Sequence, residues 1–210
     1  MAAVNDVKLK ELLSSFIFIG DYWHDKQRFL NTLKKASPLL RYDSIKEVCK
    51  LHYHSALHKA ATKATPKIVE LMLKDLDSDQ IFELVKRTGS EKMNVMHYAV
   101  KDGAADTVIY LLCKTNMSAI QKCELLFAQD KSGNTALHYA AENKNQIIVG
   151  LILDSLTPKQ QAYLMYVDNK KKKSAAEMMK SLNKEIATRI SEGKILKIIL
   201  HIYPKSILFV

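Results

Sequence analysis

An all-α solenoid is the fold class this sequence predicts, and three observations predict it. A short motif is restated at near-constant spacing, an amphipathic helical block follows every copy, and glycine and proline are scarce. With 6 Gly and 4 Pro in 210 residues, the chain lacks the corners that an all-β fold needs and favours helices joined by tight turns. Apolar residues make up 48% and charged residues 26%, which excludes disordered and collagen-like sequence. The length suits one domain or two small ones, with a core that needs no staples.

Residues 1–52 predict a helical N-terminal cap. Leu9, Leu12, Leu13, Phe16 and Ile17, then Trp23, Phe29, Leu30 and Leu33, recur at helical spacing. Ser44-Ile45-Lys46-Glu47 has the form of a capping box that would open another helix.

Repeats then occupy 53–185, in units of about 53–91, 92–132, 133–172 and a degenerate 173–185. The clearest copy is Gly133-Asn134-Thr135-Ala136-Leu137-His138-Tyr139-Ala140-Ala141; Ser55 to Ala61 and Asn94 to Val100 restate it, and Ser174 to Met179 keeps the place but loses the histidine. Steps of 39, 41 and 39 residues separate His58, His97, His138 and Glu177. The small residues Ala60, Ala61, Ala99, Ala140 and Ala141 allow close helix approach, where bulk would overpack the seam. Turns at Thr65-Pro66, Asp102-Gly103 and Asn143-Lys144-Asn145 lead to a second helix with apolar blocks at Ile68–Leu73, Val108–Leu112 and Ile147–Leu153. Cys113, at the end of the second block, falls on the apolar face and predicts a small core residue. A third helix follows in each unit: Ser118-x-x-Gln121 and Thr157-Pro158-x-Gln160 are capping boxes, and the stretch from Leu76 to Gln80 is a looser version. Residues 186–210, with Ile186, Ile190, Ile195, Leu196, Ile198, Ile199 and Ile202, predict an apolar C-terminal capping helix, because the open end of a solenoid exposes a whole hydrophobic interface.

The repeated Leu-His-x-Ala-Ala over residues 53–185 resembles the ankyrin-repeat family, whose unit of about 33 residues carries Thr-Pro-Leu-His-x-Ala in a turn and two helices. The family's proline is replaced by Ala56, Val95 and Ala136, and its hydroxyl residue by Asn94 in the second copy. The rival is another helical solenoid of similar period, such as armadillo or HEAT; the motif favours ankyrin. The third helix explains the longer units, which look like those of ankyrin proteins that intracellular bacteria deliver into host cells. The resemblance implies that His58, His97 and His138 are structural hydrogen-bonding residues linking adjacent turns. It also implies a non-enzymatic protein-interaction module whose partner docks on a concave groove of turn tips and first helices.

On that mapping the residue after the histidine is Lys59, Tyr98, Tyr139 and Met178 in successive units. The helix ends add Thr62 and Lys63, Lys101 and Asp102, Glu142 and Asn143; the turn tips add His54, Met93, Asn134 and Lys173. Tyr98 and Tyr139 are expected to stand as an exposed aromatic ladder, since tyrosine is enriched in binding hot spots; the alternative is that each packs against its own turn. The run Lys170, Lys171, Lys172 and Lys173 is the sharpest charge feature of a chain whose net charge is +10. It reads as a contact for an acidic protein, a contact for phosphate on nucleic acid or lipid, a nuclear-import signal, or a solvated tip. No recognition helix, zinc finger or aromatic RNA-binding motif accompanies it, so nucleic acid is the disfavoured partner.

Enzyme signatures are missing from the sequence. All six glycines are isolated, which excludes phosphate loops and dinucleotide fingerprints, and there is no Gly-x-Ser-x-Gly elbow. Cys49, His52 and His54, with His58 nearby, are the one cluster with zinc or nucleophile-pair chemistry, at a spacing that matches no standard site. No cofactor or metal is expected. Cys49, Cys113 and Cys123 are odd in number and suggest a reducing compartment such as the cytoplasm, or a host cytoplasm or nucleus for a delivered protein. The apolar stretch Leu12–Ile19 lacks the flanks of a signal peptide, and Ile195–Val210 is interrupted by Lys197, His201, Pro204 and Lys205, so neither export nor a membrane span is expected. A monomer is expected.

Overall fold

The computed structural model describes residues 5–19, 26–51, 55–62 and 66–180. Three helices precede the first motif: α1 (Asp6–Ile19), α2 (Lys26–Lys35) and α3 (Pro38–Leu51). Three units of three helices follow, namely α4 (Ala56–Ala61), α5 (Pro66–Leu73) and α6 (Ser78–Val85); α7 (Val95–Lys101), α8 (Ala105–Ile109) and α9 (Ala119–Phe127); and α10 (Ala136–Glu142), α11 (Gln146–Asp154) and α12 (Pro158–Tyr166). Helix α13 (Ala175–Lys180) opens a fourth unit. Among the described residues there is no strand beyond a single antiparallel bridge, Asp168 to Ser174. The described residues form an all-α array of helical units.

The six- and seven-residue first helices are too short to be stable alone, so packing must hold them. Each lies between two equivalents: α4 between α1 and α7, α7 between α4 and α10, α10 between α7 and α13. Leu57, Met96 and Leu137 are wholly buried at these seams, as are Ala60, Ala99 and Ala140. The second helices form a parallel row, α2 on α5, α5 on α8 and α8 on α11. The third helices begin with reciprocal caps: Gln121 N–H donates to Ser118 Oγ at 3.2 Å while Ser118 N–H donates to Gln121 Oε1 at 2.8 Å. Asp77 with Gln80 and Thr157 with Gln160 repeat the device.

Helices α1, α2 and α3 lack the motif yet stack in the order of a unit, α1 on α4, α2 on α5 and α3 on α6. Arg41 of α3 fastens the corner, with Nη1 donating to Leu33 O at 3.2 Å and Ala36 O at 3.1 Å, and Nη2 donating to Lys74 O. Tyr42 and Lys46 of α3 meet Glu83 of α6, which also pairs with Arg87 at 3.1 Å.

Two sequence expectations change here. Ser44 does not cap a helix, because α3 starts at Pro38, where proline suits the first helical turn and Ser37 Oγ accepts the Leu40 N–H at 3.2 Å. Ser44 is instead buried in the middle of α3 and donates to Asp6 Oδ1 at 2.7 Å, tying α3 to the start of α1. Cys113 is exposed rather than in the core. The last turn of the second helix, Tyr110–Lys114, is a π-turn closed by Thr115 N–H to Tyr110 O at 3.1 Å, and the wider turn rotates Cys113 off the apolar face. The capping helix expected over 186–210 lies outside the described residues.

Candidate functional site

The face built from first helices and turn tips starts with the histidines. Each sits at the third position of its helix, where its ring accepts the N–H of the capping residue: Ser55 to His58 Nδ1 at 3.1 Å, Asn94 to His97 Nδ1 at 3.2 Å, Thr135 to His138 Nδ1 at 3.1 Å. An acceptor Nδ1 leaves the proton on Nε2 in a neutral ring. Nε2 then donates to a backbone carbonyl beyond the third helix of its unit: Arg87 O at 2.9 Å, just after α6, and, at the start of the following unit, Asn134 O at 3.1 Å and Lys173 O at 3.2 Å. All three rings are buried, and burial lowers the pKa of His97 and His138, so the neutral form is favoured.

Turn tips sit on these carbonyls and join one another through backbone bonds. Lys131 N–H donates to Glu91 O at 2.7 Å, and Lys170 N–H donates to Ser132 O at 3.0 Å. Within the third tip, Asp130 Oδ1 accepts the N–H groups of Ser132 and Asn134, both at 2.8 Å. In the fourth, Asn169 Oδ1 accepts those of Lys171 at 2.9 Å and Lys173 at 3.1 Å. Gly133 is required between them. Its φ is +78°, and a Cβ there would lie 2.9 Å from Lys170 N.

The expected exposed tyrosine ladder is not present. Tyr139 is 8% exposed; its ring meets His97 edge-on at 6.2 Å, and its hydroxyl donates to the buried Asp130 Oδ2 at 2.5 Å. Burial and the neighbouring carboxylate both raise its pKa. Tyr98 is half-buried, edge-on to His58 at 5.0 Å, with its hydroxyl 3.2 Å from Ser90 Oγ. The close stacking of turn on helix leaves a ring nowhere else to go, so both tyrosines fill the seam between units.

The other predicted residues divide into ties and surface. Asn143 is exposed, but its Nδ2 donates to Val100 O at 3.2 Å and Lys101 O at 2.7 Å, closing the end of the preceding first helix. Lys101 lies 5.4 Å from the Tyr139 ring centroid, over its face. Lys59 is half-buried, and Glu142 is exposed. Lys63, His52 and His54 lie outside the described residues, as does the Cys49 side chain. Met178, Glu142 and Lys173 come together. They line both a hollow of about 330 Å³ with Ala141, Lys144 and Glu177 and an adjoining one of about 170 Å³ with Ser132, Asn134, Asn169 and Lys171. Lys170 and Lys172 are exposed beside them. Ser132, Lys144, Asn169 and Glu177 are lining residues that the sequence did not mark as site residues; the 39-residue step, which sets Asn169 opposite Asp130, was the available signal.

Among the described residues no group of three or more His, Cys, Asp or Glu is arranged to hold a metal ion, and no helix is long and apolar enough to cross a membrane. None of the curated proteins compared matches the chain. The family model described as ankyrin repeats (3 copies) matches residues 57–163, the span of the three complete units. With this match, the histidine-linked turns and the stacked helix rows, the chain belongs to the ankyrin-repeat family, whose repeats are protein–protein interaction modules.

Proposed function

We propose that the chain is a non-enzymatic scaffold that presents its first-helix face and turn tips as a preformed groove to a partner protein. The observation that carries this reading is the division of roles along that face. The histidines, Tyr98, Tyr139 and Asn143 are consumed in joining units, while Lys59 and Lys101 remain on the face and Glu142, Met178, Lys171 and Lys173 line two adjoining hollows, with Lys170 and Lys172 exposed beside them. A scaffold so tied loses little conformational freedom on binding, so more of the contact energy appears as affinity. The charge around the last tip suits a partner with an acidic surface.

Affinity capture with the intact chain tests this reading. Partner recovery should fall in a Lys59→Glu/Lys101→Glu variant and in one with Lys170 to Lys173 neutralised, and persist in an Ile120→Glu/Tyr163→Glu variant of the exposed third-helix surface. The opposite pattern would move binding to the third helices. Nucleic-acid binding through the lysines is the second reading, favoured by their clustering alone. It predicts a loss of orders of magnitude in affinity between about 50 and about 200 mM salt, whereas an acidic protein held also by apolar groove contacts should weaken far less.

A further inference from the structure

The hollow beside Met178 exists because the fourth unit breaks a pattern that the two units before it keep. In the second and third units the residue after the motif histidine position is a tyrosine whose ring packs on the histidine one unit back, Tyr98 on His58 and Tyr139 on His97. One step of 39 residues further, the position is Met178. The tip has changed with it. Asp130, which takes the Tyr139 hydroxyl, is replaced by Asn169, whose Nδ2 donates to Asn134 Oδ1 at 2.8 Å. No phenol is locked over this seam, and the space that a ring fills elsewhere is open. Methionine is unbranched and polarisable, and it adapts to whatever side chain enters.

The rim of this trough is charged, unevenly. Lys144, Lys171 and Lys173 line it, with Lys170 and Lys172 adjacent, against Glu142 and Glu177. Glu177 is already engaged at its own helix start, where Oε2 accepts the Ser174 N–H at 3.3 Å. An apolar floor of Ala141 and Met178 under a lysine-rich rim selects against a bare polyanion. Phosphates would meet the lysines but also Glu142, and would bring nothing apolar for the floor.

We infer that this trough is the specificity pocket of the binding face and takes an acidic protein segment with one apolar side chain, the side chain on Met178 and Ala141 and the flanking carboxylates on Lys144, Lys171 and Lys173. The inference rests on the scaffold reading above and adds the kind of partner.

Amide chemical-shift titration of the full ¹⁵N-labelled chain tests it. The probes are an acetylated pentapeptide with two glutamates on each side of a leucine, its leucine-to-serine and glutamate-to-glutamine forms, a 20-nucleotide single-stranded DNA, and phosphatidylserine vesicles. The leucine peptide should shift Glu142, Lys173 and Met178. The serine form should bind about tenfold more weakly, and the glutamine form about fivefold more weakly. Met178→Tyr, which supplies the ring that the two preceding units carry, and Met178→Ser, which removes the apolar wall without adding bulk, should each weaken the leucine peptide by about tenfold in a chain that still folds. Shifts located elsewhere, equal binding of the serine form, unchanged affinity in the folded Met178 variants, or tighter binding of DNA or vesicles at the same residues would each overturn the inference. If the peptides fail here while partner capture still depends on Lys59 and Lys101, this inference falls and the scaffold reading stands.

Discussion

At the scale of single residues, most of the conspicuous positions work between units. Gly133 meets two demands at once, a left-handed φ of +78° and a backbone nitrogen 2.9 Å from any added Cβ. Gly103 meets only the first, at φ +71° with nothing nearer than 3.8 Å. Gly103→Ala should therefore cost about 1 kcal/mol, and Gly133→Ala about 1–3 kcal/mol more because the fourth tip must shift. Urea denaturation of the two variants checks the gap, and equal losses would mean that the tips are not in contact. Tyr139→Phe should cost about 1–3 kcal/mol by leaving Asp130 Oδ2 buried without its hydroxyl donor. A wild-type melting temperature would return Tyr139 to the surface. His97 and His138 set a pH dependence. Their folded pKa values lie below the ordinary 6.5, so the unfolded chain binds protons first as pH falls. Stability should be at its full value above about 6.5 and decline below it, as urea midpoints at pH 7.5 and 5.5 would reveal. The sequence displayed these histidines and alanines plainly, because their motif is local. It did not display the fate of the tyrosines, since a side chain after the histidine points outward on a lone helix and is buried only when the next tip arrives.

At the scale of elements, the third helix of each unit was legible from its capping box, a signal confined to four residues. Cys113 and Ser44 were misjudged for one shared reason. Periodicity assumes a constant turn and a helix start marked by its strongest local pattern. The π-turn at Tyr110–Lys114 breaks the first assumption, and Pro38 overrides the second. The docking of α3 on α6 was not legible at all, because it depends on long-range polar contacts. Glu83 is central there. The Tyr42 hydroxyl, with Lys46 and Arg87, holds its carboxyl at about 2, well below the usual 4.5. That contribution is present above the ordinary glutamate pKa and is lost as pH falls toward 2. Since the site is about a third exposed, Glu83→Gln should cost about 1 kcal/mol at pH 7 and almost nothing near pH 2. Calorimetric melting at the two pH values separates the cases, and a pH-independent cost would assign Glu83 a packing role.

At the scale of the molecule, stability in a stacked array is a sum of weak units and the interfaces between them. The period of 39 to 41 residues was readable because it is a property of the whole chain. The hollow at Met178 was not, although the sequence contains the substitution that makes it, because a missing ring becomes space only after the neighbouring units fix its walls. The central claim is that successive turn tips are joined rung by rung, so that binding residues from different units share one face. Native-state amide exchange at Lys131 and Lys170 tests this most directly, since both residues lie in exposed turns and their N–H groups bond only across units, to Glu91 O and Ser132 O. The account predicts that both amides are slowed to the level of the first-helix amides, on the order of the stability of the stack. Exchange at the rate of an open loop would contradict it, and with it the register on which the binding face depends.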